Sequence, residues 1–139
     1  MFHYYQPTKI HFGAGQLNEL GHVCRGYGKT CFLVTTPDAP LQPLYERVKK
    51  LLDAEGISVI HFDKVEPNPS VEIVEQGFAM LKEQPADFVL AVGGGSSIDT
   101  AKAIAFANGK ESIDWDHLFN EYSSPFAYYP SYSEKHLPL

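Results

Sequence analysis

Apolar positions along the chain gather into three short, β-branched runs, Thr30–Thr35, Ile57–Phe62 and Phe88–Val92, each bounded by Gly, Pro, Asp or Asn. Runs of that length and content read as strands. Their apolarity is mostly continuous rather than alternating, so both faces must be covered, which is the pattern of parallel strands between helix layers. Between the runs the period lengthens to that of a helix. Leu44, Val48, Leu51 and Leu52 fall on one stripe while Glu46, Lys49, Lys50 and Asp53 face water, and Gly56 supplies a stop. A second helix is predicted from Ser70 to Glu83, with Ser70 as its cap, Glu72 and Glu75 in its early turns, Ile73, Val74, Phe78 and Leu81 inward, and Pro85 closing it. Upstream, Lys9–Phe12 reads as an extra strand and Gly15–Arg25 as an amphipathic helix with Leu17, Leu20 and Val23 inward. From Gly109 onward charged and aromatic residues mix with Pro125, Pro130 and Pro138 without period.

Strand and helix therefore alternate up to Asn108, and right-handed crossovers make this an α/β, Rossmann-like parallel sheet with helices on both faces. Residues 1–108 form that domain, and 109–139 are expected to be an irregular tail. The tail carries Trp115, Phe119, Tyr122, Phe126, Tyr128, Tyr129 and Tyr132, more aromatic surface than a solvated segment keeps, so it is expected to pack on its own domain or on a partner.

Composition narrows the function classes. The 139 residues carry 11 Lys+Arg against 17 Asp+Glu, a formal charge of −6, with no basic block to grip nucleic acid or an anionic membrane. The longest apolar runs fall far short of the roughly 20 residues a membrane-spanning helix needs. The first ten residues have neither a basic start nor an apolar core, which predicts no signal peptide and a cytoplasmic protein. Cys24 and Cys31, the two cysteines, are too far apart for Cys-x-x-Cys chemistry and are expected to be reduced packing residues.

The strongest chemical signal is Ala91-Val-Gly-Gly-Gly-Ser-Ser-Ile-Asp-Thr-Ala-Lys102, a strand that enters three glycines and then a small-residue helix. Glycines let backbone N–H groups approach an anion, the helix start adds unpaired donors and the positive end of its dipole, and Ser96 can add a hydroxyl. The plainer alternative is a tight turn with Ser96 as N-cap and Asp99 as its capping-box partner. Lys102 can reach an anion or sit in solvent. No Gly-Lys-Ser/Thr follows the glycines, so this is not a P-loop. Gly13-Ala-Gly15 is weak as a dinucleotide fingerprint because Asn18 stands in the final place, and a turn opening the first helix is the simpler reading.

In a parallel sheet all strand carboxyl ends lie on one edge, where ligands bind. That edge gathers the loops Thr35–Pro40, Val65–Ser70 and Gly93–Ser97. Asn68 sits between Pro67 and Pro69, which restrict the backbone and suit either fixed presentation of an amide or an ordinary rigid turn.

In order and spacing, His11-Phe-Gly-Ala-Gly15, Glu66-Pro-Asn-Pro69 and Gly93-Gly-Gly-Ser-Ser-Ile-Asp-Thr-Ala-Lys-Ala103 resemble the N-terminal part of the iron-containing (group III) alcohol dehydrogenases. The resemblance covers about Lys9 to Asn108. It implies an oxidoreductase that moves hydride between a bound nicotinamide dinucleotide and a small alcohol or aldehyde. By resemblance Gly94, Gly95 and Ser96 take the diphosphate, Asn68 is a cofactor contact, and Asp99 lies beside the nicotinamide end. Many members carry an aspartate where Thr36 stands here. A threonine does not repel a 2′-phosphate, so NADP is admissible beside NAD, while Asp38 can take over the ribose contact.

The family also implies Fe²⁺ or Zn²⁺ held by an aspartate and three histidines in a helical second domain, which this chain lacks. His3, His11, His22, His61, His117 and His136 show no His-x₃-His or His-Glu-x₂-His spacing, and no metal ligand is assigned among them. The reading is thus the cofactor-binding portion of a metal-dependent alcohol dehydrogenase, expected to be inactive by itself, with a non-catalytic nucleotide-binding or interaction module as the alternative. If Lys9–Phe12 lies at a sheet edge, it can pair with a second copy to form a homodimer.

Overall fold

The computed structural model describes residues 8–122 and 137–139. His3, Phe126, Tyr128, Tyr129, Tyr132 and His136 lie outside the described residues.

Three strands, β1 (Thr30–Val34), β2 (Ser58–Phe62) and β3 (Phe88–Ala91), form a parallel sheet in the order β2-β1-β3. The predicted runs each find their strand, with ends shifted by a residue at most. Helix α1 (Leu20–Cys24) precedes β1, α2 (Gln42–Asp53) links β1 to β2, α3 (Val71–Glu83) links β2 to β3, and α4 (Gly95–Ala107) follows β3. A fifth helix, α5, spans Trp115–Tyr122.

Alternation along the central strand explains why both of its faces are apolar. Phe32 and Val34 point to a layer built with Ile73, Val74 and Leu81 of α3 and Ala101, Ile104 and Ala105 of α4. Cys31 and Leu33 point the other way, to Cys24 of α1 and Val48 and Leu52 of α2. All four β1 residues are fully buried. Two glycines let the helices close in. A Cβ on Gly77 of α3 would stand 2.3 Å from Ile104 Cδ1 of α4, and one on Gly21 of α1 would stand 2.4 Å from the Leu51 carbonyl oxygen of α2.

The end of the sheet remote from the loops is pinned by Asp87, whose Oδ2 accepts from the Lys29 N–H at 2.7 Å and the Thr30 N–H at 2.9 Å. Ser70 caps α3 as predicted, its hydroxyl accepting from the Ile73 N–H at 3.4 Å. Gly15, with φ of 83°, opens a 3-10 turn over Gln16–Glu19 that runs into α1, so the Gly-Ala-Gly stretch is a turn.

Two expectations need correction. Lys9–Phe12 forms no strand, and Ile10 and Phe12 stand 78% and 95% exposed. Alternating apolar residues make a strand only where an edge supplies hydrogen-bond partners, and none of the described residues pairs with this segment. The stretch after Gly109 is not wholly irregular, because α5 lies within it. Asp114 starts that helix, its Oδ1 accepting from the His117 N–H at 2.9 Å and its carbonyl from the Leu118 N–H at 3.0 Å. Ile113 and Trp115 pack against the α3–α4 layer, and the Trp115 indole N–H donates to Glu75 Oε1 at 2.8 Å.

The order β2-β1-β3 places a reversal of winding between β1 and β3. The chain leaves β1 toward β2 on one side, and the connection from β2 then crosses β1 to reach β3 on the other, so a crevice opens between the carboxyl ends of β1 and β3.

Candidate functional site

The loop after β3 builds the floor of this crevice. Gly93 has φ of 150°, and a Cβ there would stand 2.5 Å from Ser97 Oγ, so the position is closed to a side chain on both counts. Gly94 is then extended (φ −87°, ψ −164°) and is the N-cap of α4, with no side-chain cap hydrogen bond. A Cβ on Gly94 or on Gly95 would meet nothing within 4 Å. The backbone at the start of a 13-residue helix therefore borders open space, and its first N–H groups have no side-chain cap, a combination that suits an anion.

This disposes of the capping-box alternative. Ser96 lies inside the helix rather than at its cap, because helical geometry already begins at Gly95. Asp99 does not reach back to the cap either. It is exposed, with Oδ1 3.6 Å from the Lys102 ammonium one turn on. Lys102 is likewise exposed, 62% by side chain, and its one ion pair among the described residues is that with Asp99.

Ser96 instead joins two loops. Its Oγ accepts from the Asn68 backbone N–H at 3.3 Å. Asn68 has φ of 56°, a left-handed conformation that a residue before proline is sterically discouraged from adopting. Such a conformation costs on the order of 1–3 kcal/mol and persists where its surroundings over-determine it. Flanking prolines and the bond to Ser96 are those surroundings, and they set Asn68 over the start of α4.

The loop after β1 supplies the opposite wall. Thr35, wholly buried, ties the ends of β1 and β2 together: its N–H donates to the Phe62 carbonyl at 2.9 Å and its carbonyl accepts from the Val65 N–H at 3.2 Å. Its hydroxyl donates to the Thr36 carbonyl at 3.1 Å and lies 2.8 Å from His61 Nε2. The Thr35 hydroxyl has one proton, so if it goes to the Thr36 carbonyl, His61 Nε2 is the donor to Thr35. Burial first, and then the charge of Lys49, holds the His61 imidazole below its ordinary pKa, against the weaker pull of Asp63 and Glu46. The Thr36 hydroxyl donates to Asp38 Oδ2 at 2.7 Å and lies 2.9 Å from the hydroxyl of Tyr45, a fully buried residue of α2.

Of the seven residues singled out from sequence, Gly94, Gly95, Ser96 and Asn68 meet at the start of α4, Thr36 and Asp38 meet at the end of β1, and Asp99 stands apart on the second turn of α4. Sequence reasoning missed Thr35, Tyr45, His61 and Ser97. A tyrosine within a buried helical stripe was the available signal, since a buried phenol needs a hydrogen-bond partner.

Ser97 Oγ is buried and has no partner among the described residues. Cys24 and Cys31 are also buried and unpaired. Burial, reinforced for Cys31 by the neighbouring Cys24, raises both thiols, Cys31 to about 12. Among the described residues no group of three or more His, Cys, Asp or Glu is gathered to hold a metal ion. No helix there is long and apolar enough to cross a membrane.

A strand, an uncapped glycine-rich helix start and a switch-point crevice are common to many dinucleotide-binding folds, and the family is decided by comparison. The family model for iron-containing alcohol dehydrogenase matches residues 7–138. The chain belongs to the iron-containing alcohol dehydrogenase family. Within that family it is 43% identical over 116 residues to a probable NADH-dependent butanol dehydrogenase 2 of Bacillus subtilis (strain 168), covering 83% of this chain and 30% of that protein. It is 38% identical over 116 residues to alcohol dehydrogenase 4 of Saccharomyces cerevisiae (strain YJM789), covering 81% and 30% respectively. The crystal structure of an NADH-dependent butanol dehydrogenase A from Thermotoga maritima matches with a TM-score of 0.81 at 31% identity, over 99% of this chain and 33% of that one. The chain thus spans about 30% of the length of the curated relatives it matches.

Proposed function

We propose that this chain is the cofactor-binding part of a metal-dependent alcohol dehydrogenase that takes a nicotinamide dinucleotide. The observation that carries the reading is the start of α4: a helix N-terminus without a side-chain cap, opening on the space above Gly94 and Gly95, at the sheet's switch point. The backbone N–H groups of Gly95 and Ser96, beside Gly94, hold the diphosphate. Asn68, fixed on Ser96, closes over it, and Asp99 lies toward the nicotinamide end. The names of the relatives, NADH-dependent butanol dehydrogenases among them, support this cofactor class and a small alcohol or aldehyde substrate.

Bound there, the cofactor supplies the hydride acceptor or donor. This chain's residues bind and orient it: they replace the water around the diphosphate by fixed backbone donors. The described residues do not gather a set of ligands for the Fe²⁺ or Zn²⁺ of the family, and no step through a metal is derived from them. Homodimer formation and a cytoplasmic location are parts of the same proposal for the whole enzyme, to be checked by light scattering and cell fractionation.

Calorimetric titration of the chain with NADH tests the reading, with Gly94→Ala as its control. Alanine is allowed at the Gly94 backbone angles and its methyl meets no protein atom, so thermal stability stays within about 1 kcal/mol of wild type. The same methyl stands where the diphosphate must come, and NADH affinity falls about tenfold or more. Equal affinity of the two chains would remove the diphosphate from this loop.

A further inference from the structure

Where α4 ends, the chain makes a β-turn from Ala107 to Lys110, closed by the Lys110 N–H donating to the Ala107 carbonyl at 3.0 Å. Asn108 stands at φ −54° and ψ 135°, and Gly109 at φ 78°. These are the angles of a type II turn, which favours glycine in its third place and here sets that glycine directly after an asparagine. In such a turn the central peptide points away from the ring that closes it. The Gly109 N–H accordingly makes no hydrogen bond among the described residues, and Gly109 is exposed, with Asn108 half-buried beside it.

We infer that Asn108 is a site of self-modification, where the Gly109 main-chain nitrogen attacks the Asn108 side-chain amide and the residue becomes aspartyl and isoaspartyl. The Gly109 nitrogen gives up its proton to water and bonds to Asn108 Cγ, the bond from Cγ to Nδ2 breaks, and Nδ2 leaves as ammonia with a proton from water. Water then opens the cyclic imide. Opening at Cγ gives aspartate; opening at the main-chain carbonyl gives isoaspartate, whose main chain runs through the side-chain carbons. Water is the one co-reactant, so the inference stands apart from the dinucleotide reading. Attack needs the Gly109 nitrogen swung toward the side chain. A flip of the central peptide from type II toward type I does this while Ala107 and Lys110 stay in place, because the two types differ chiefly in ψ of the second residue and φ of the third, and glycine tolerates both.

The other asparagines lack this combination. Asn18 lies in the 3-10 turn before α1, and its Oδ1 accepts from Arg47 Nη2 at 2.6 Å. Asn68 precedes Pro69, which has no N–H to lose. Asn120 lies inside α5, where helical hydrogen bonds hold the backbone. Conversion at Asn108 would place a carboxylate at the carboxyl end of α4, against the helix dipole, on a chain already at −6. The isoaspartyl form also lengthens the main chain between α4 and α5, whose Trp115 is tied to Glu75 at 2.8 Å.

The test is peptide mapping by mass spectrometry of the 139-residue chain after incubation at mildly alkaline pH, once native and once in urea. In the native chain the Asn108 peptide gains the mass of hydroxyl for amine at least about tenfold faster than the Asn18 and Asn120 peptides, equivalent to about 1.4 kcal/mol of barrier. It yields both aspartyl and isoaspartyl products, and its rate stays within about fivefold of that in urea, since nothing in the turn holds the Gly109 N–H. Asn108→Gln, whose longer side chain must close a larger ring, removes the gain from this peptide; should that variant not fold, Asn108→Ser is read in the same way. A margin over Asn120 below tenfold, a larger slowing by the fold, or a mass gain without isoaspartate overturns the inference.

Discussion

Ser97 sits in the first turn of α4 with a hydroxyl that is buried and has no partner among the described residues. A buried polar group left unsatisfied costs on the order of 1–3 kcal/mol. Replacing it by alanine is therefore expected to raise the stability of the chain by about 1 kcal/mol, seen as a thermal midpoint a few degrees higher. Because the residue is fully enclosed, NADH affinity stays as in wild type. A lowered midpoint would show that Ser97 Oγ has a partner after all, such as an ordered water. At this scale the sequence was informative about which residues gather but not about how they bond. The glycines announced room for an anion beside the backbone; Gly93 is closed to a side chain by Ser97, and Gly94 and Gly95 border open space. That Gly94, and not Ser96, ends the turn depends on backbone angles that no residue identity dictates, and serine was the better candidate for a cap on propensity alone. Asn68 shows the same limit: flanking prolines predicted a restricted backbone, whereas the left-handed angle follows from the contact with Ser96, 28 residues away.

At the scale of elements, the layer of α3 and α4 depends on Gly77. A methyl there would stand 2.3 Å from Ile104 Cδ1 and 3.4 Å from a ring carbon of Phe62, both in the buried core. Helix propensity favours alanine by up to about 1 kcal/mol, but overpacking a core costs about 1–3 kcal/mol. Gly77→Ala is expected to be destabilising by about 1–2 kcal/mol net of these terms in urea denaturation, and a gain in stability would mean that Ile104 can swing away at little cost. The three strands and the three longest helices were legible because burial on both sheet faces leaves a dense apolar pattern that few alternatives can satisfy. Helix α5 was not read, although Asp114 as a cap followed by Trp115 and Leu118 carried a helix-start signal. The irregular aromatic and proline content after it masked eight ordered residues. Lys9–Phe12 failed in the opposite sense, since strand pattern without an edge partner gives no strand.

For the molecule as a whole, His61 links fold stability to pH. Its imidazole is held below the ordinary value in the folded chain, chiefly by burial. Above the unfolded value, about 6.5, both states are neutral and the contribution of this residue is present in full. As pH falls through that value the unfolded chain binds a proton first, and stability declines until the lower folded value has been passed. Between about pH 7 and 5.5 the urea midpoint of wild type is therefore expected to fall more steeply than that of His61→Gln, whose amide can still donate to Thr35. Parallel curves would exclude His61 as the group responsible. The histidine was visible in the sequence only as one of six without metal spacing. Its place in the network beneath the crevice depends on β1 and β2 lying side by side, which brings it to Thr35, 26 residues away.

The sealed thiols open a practical route to watching this crevice at work. Cys31 lies in the middle of the central strand with its pKa pushed up to about 12, Cys24 is raised beside it, and no other cysteine occurs in the chain. A sulfhydryl that stays protonated and out of solvent is a poor nucleophile. A single cysteine introduced at Glu66, exposed in the loop after β2, would accordingly take up a fluorescent maleimide by itself, and the native pair could be left in place while the dye reports whether the proposed coenzyme arrives and departs.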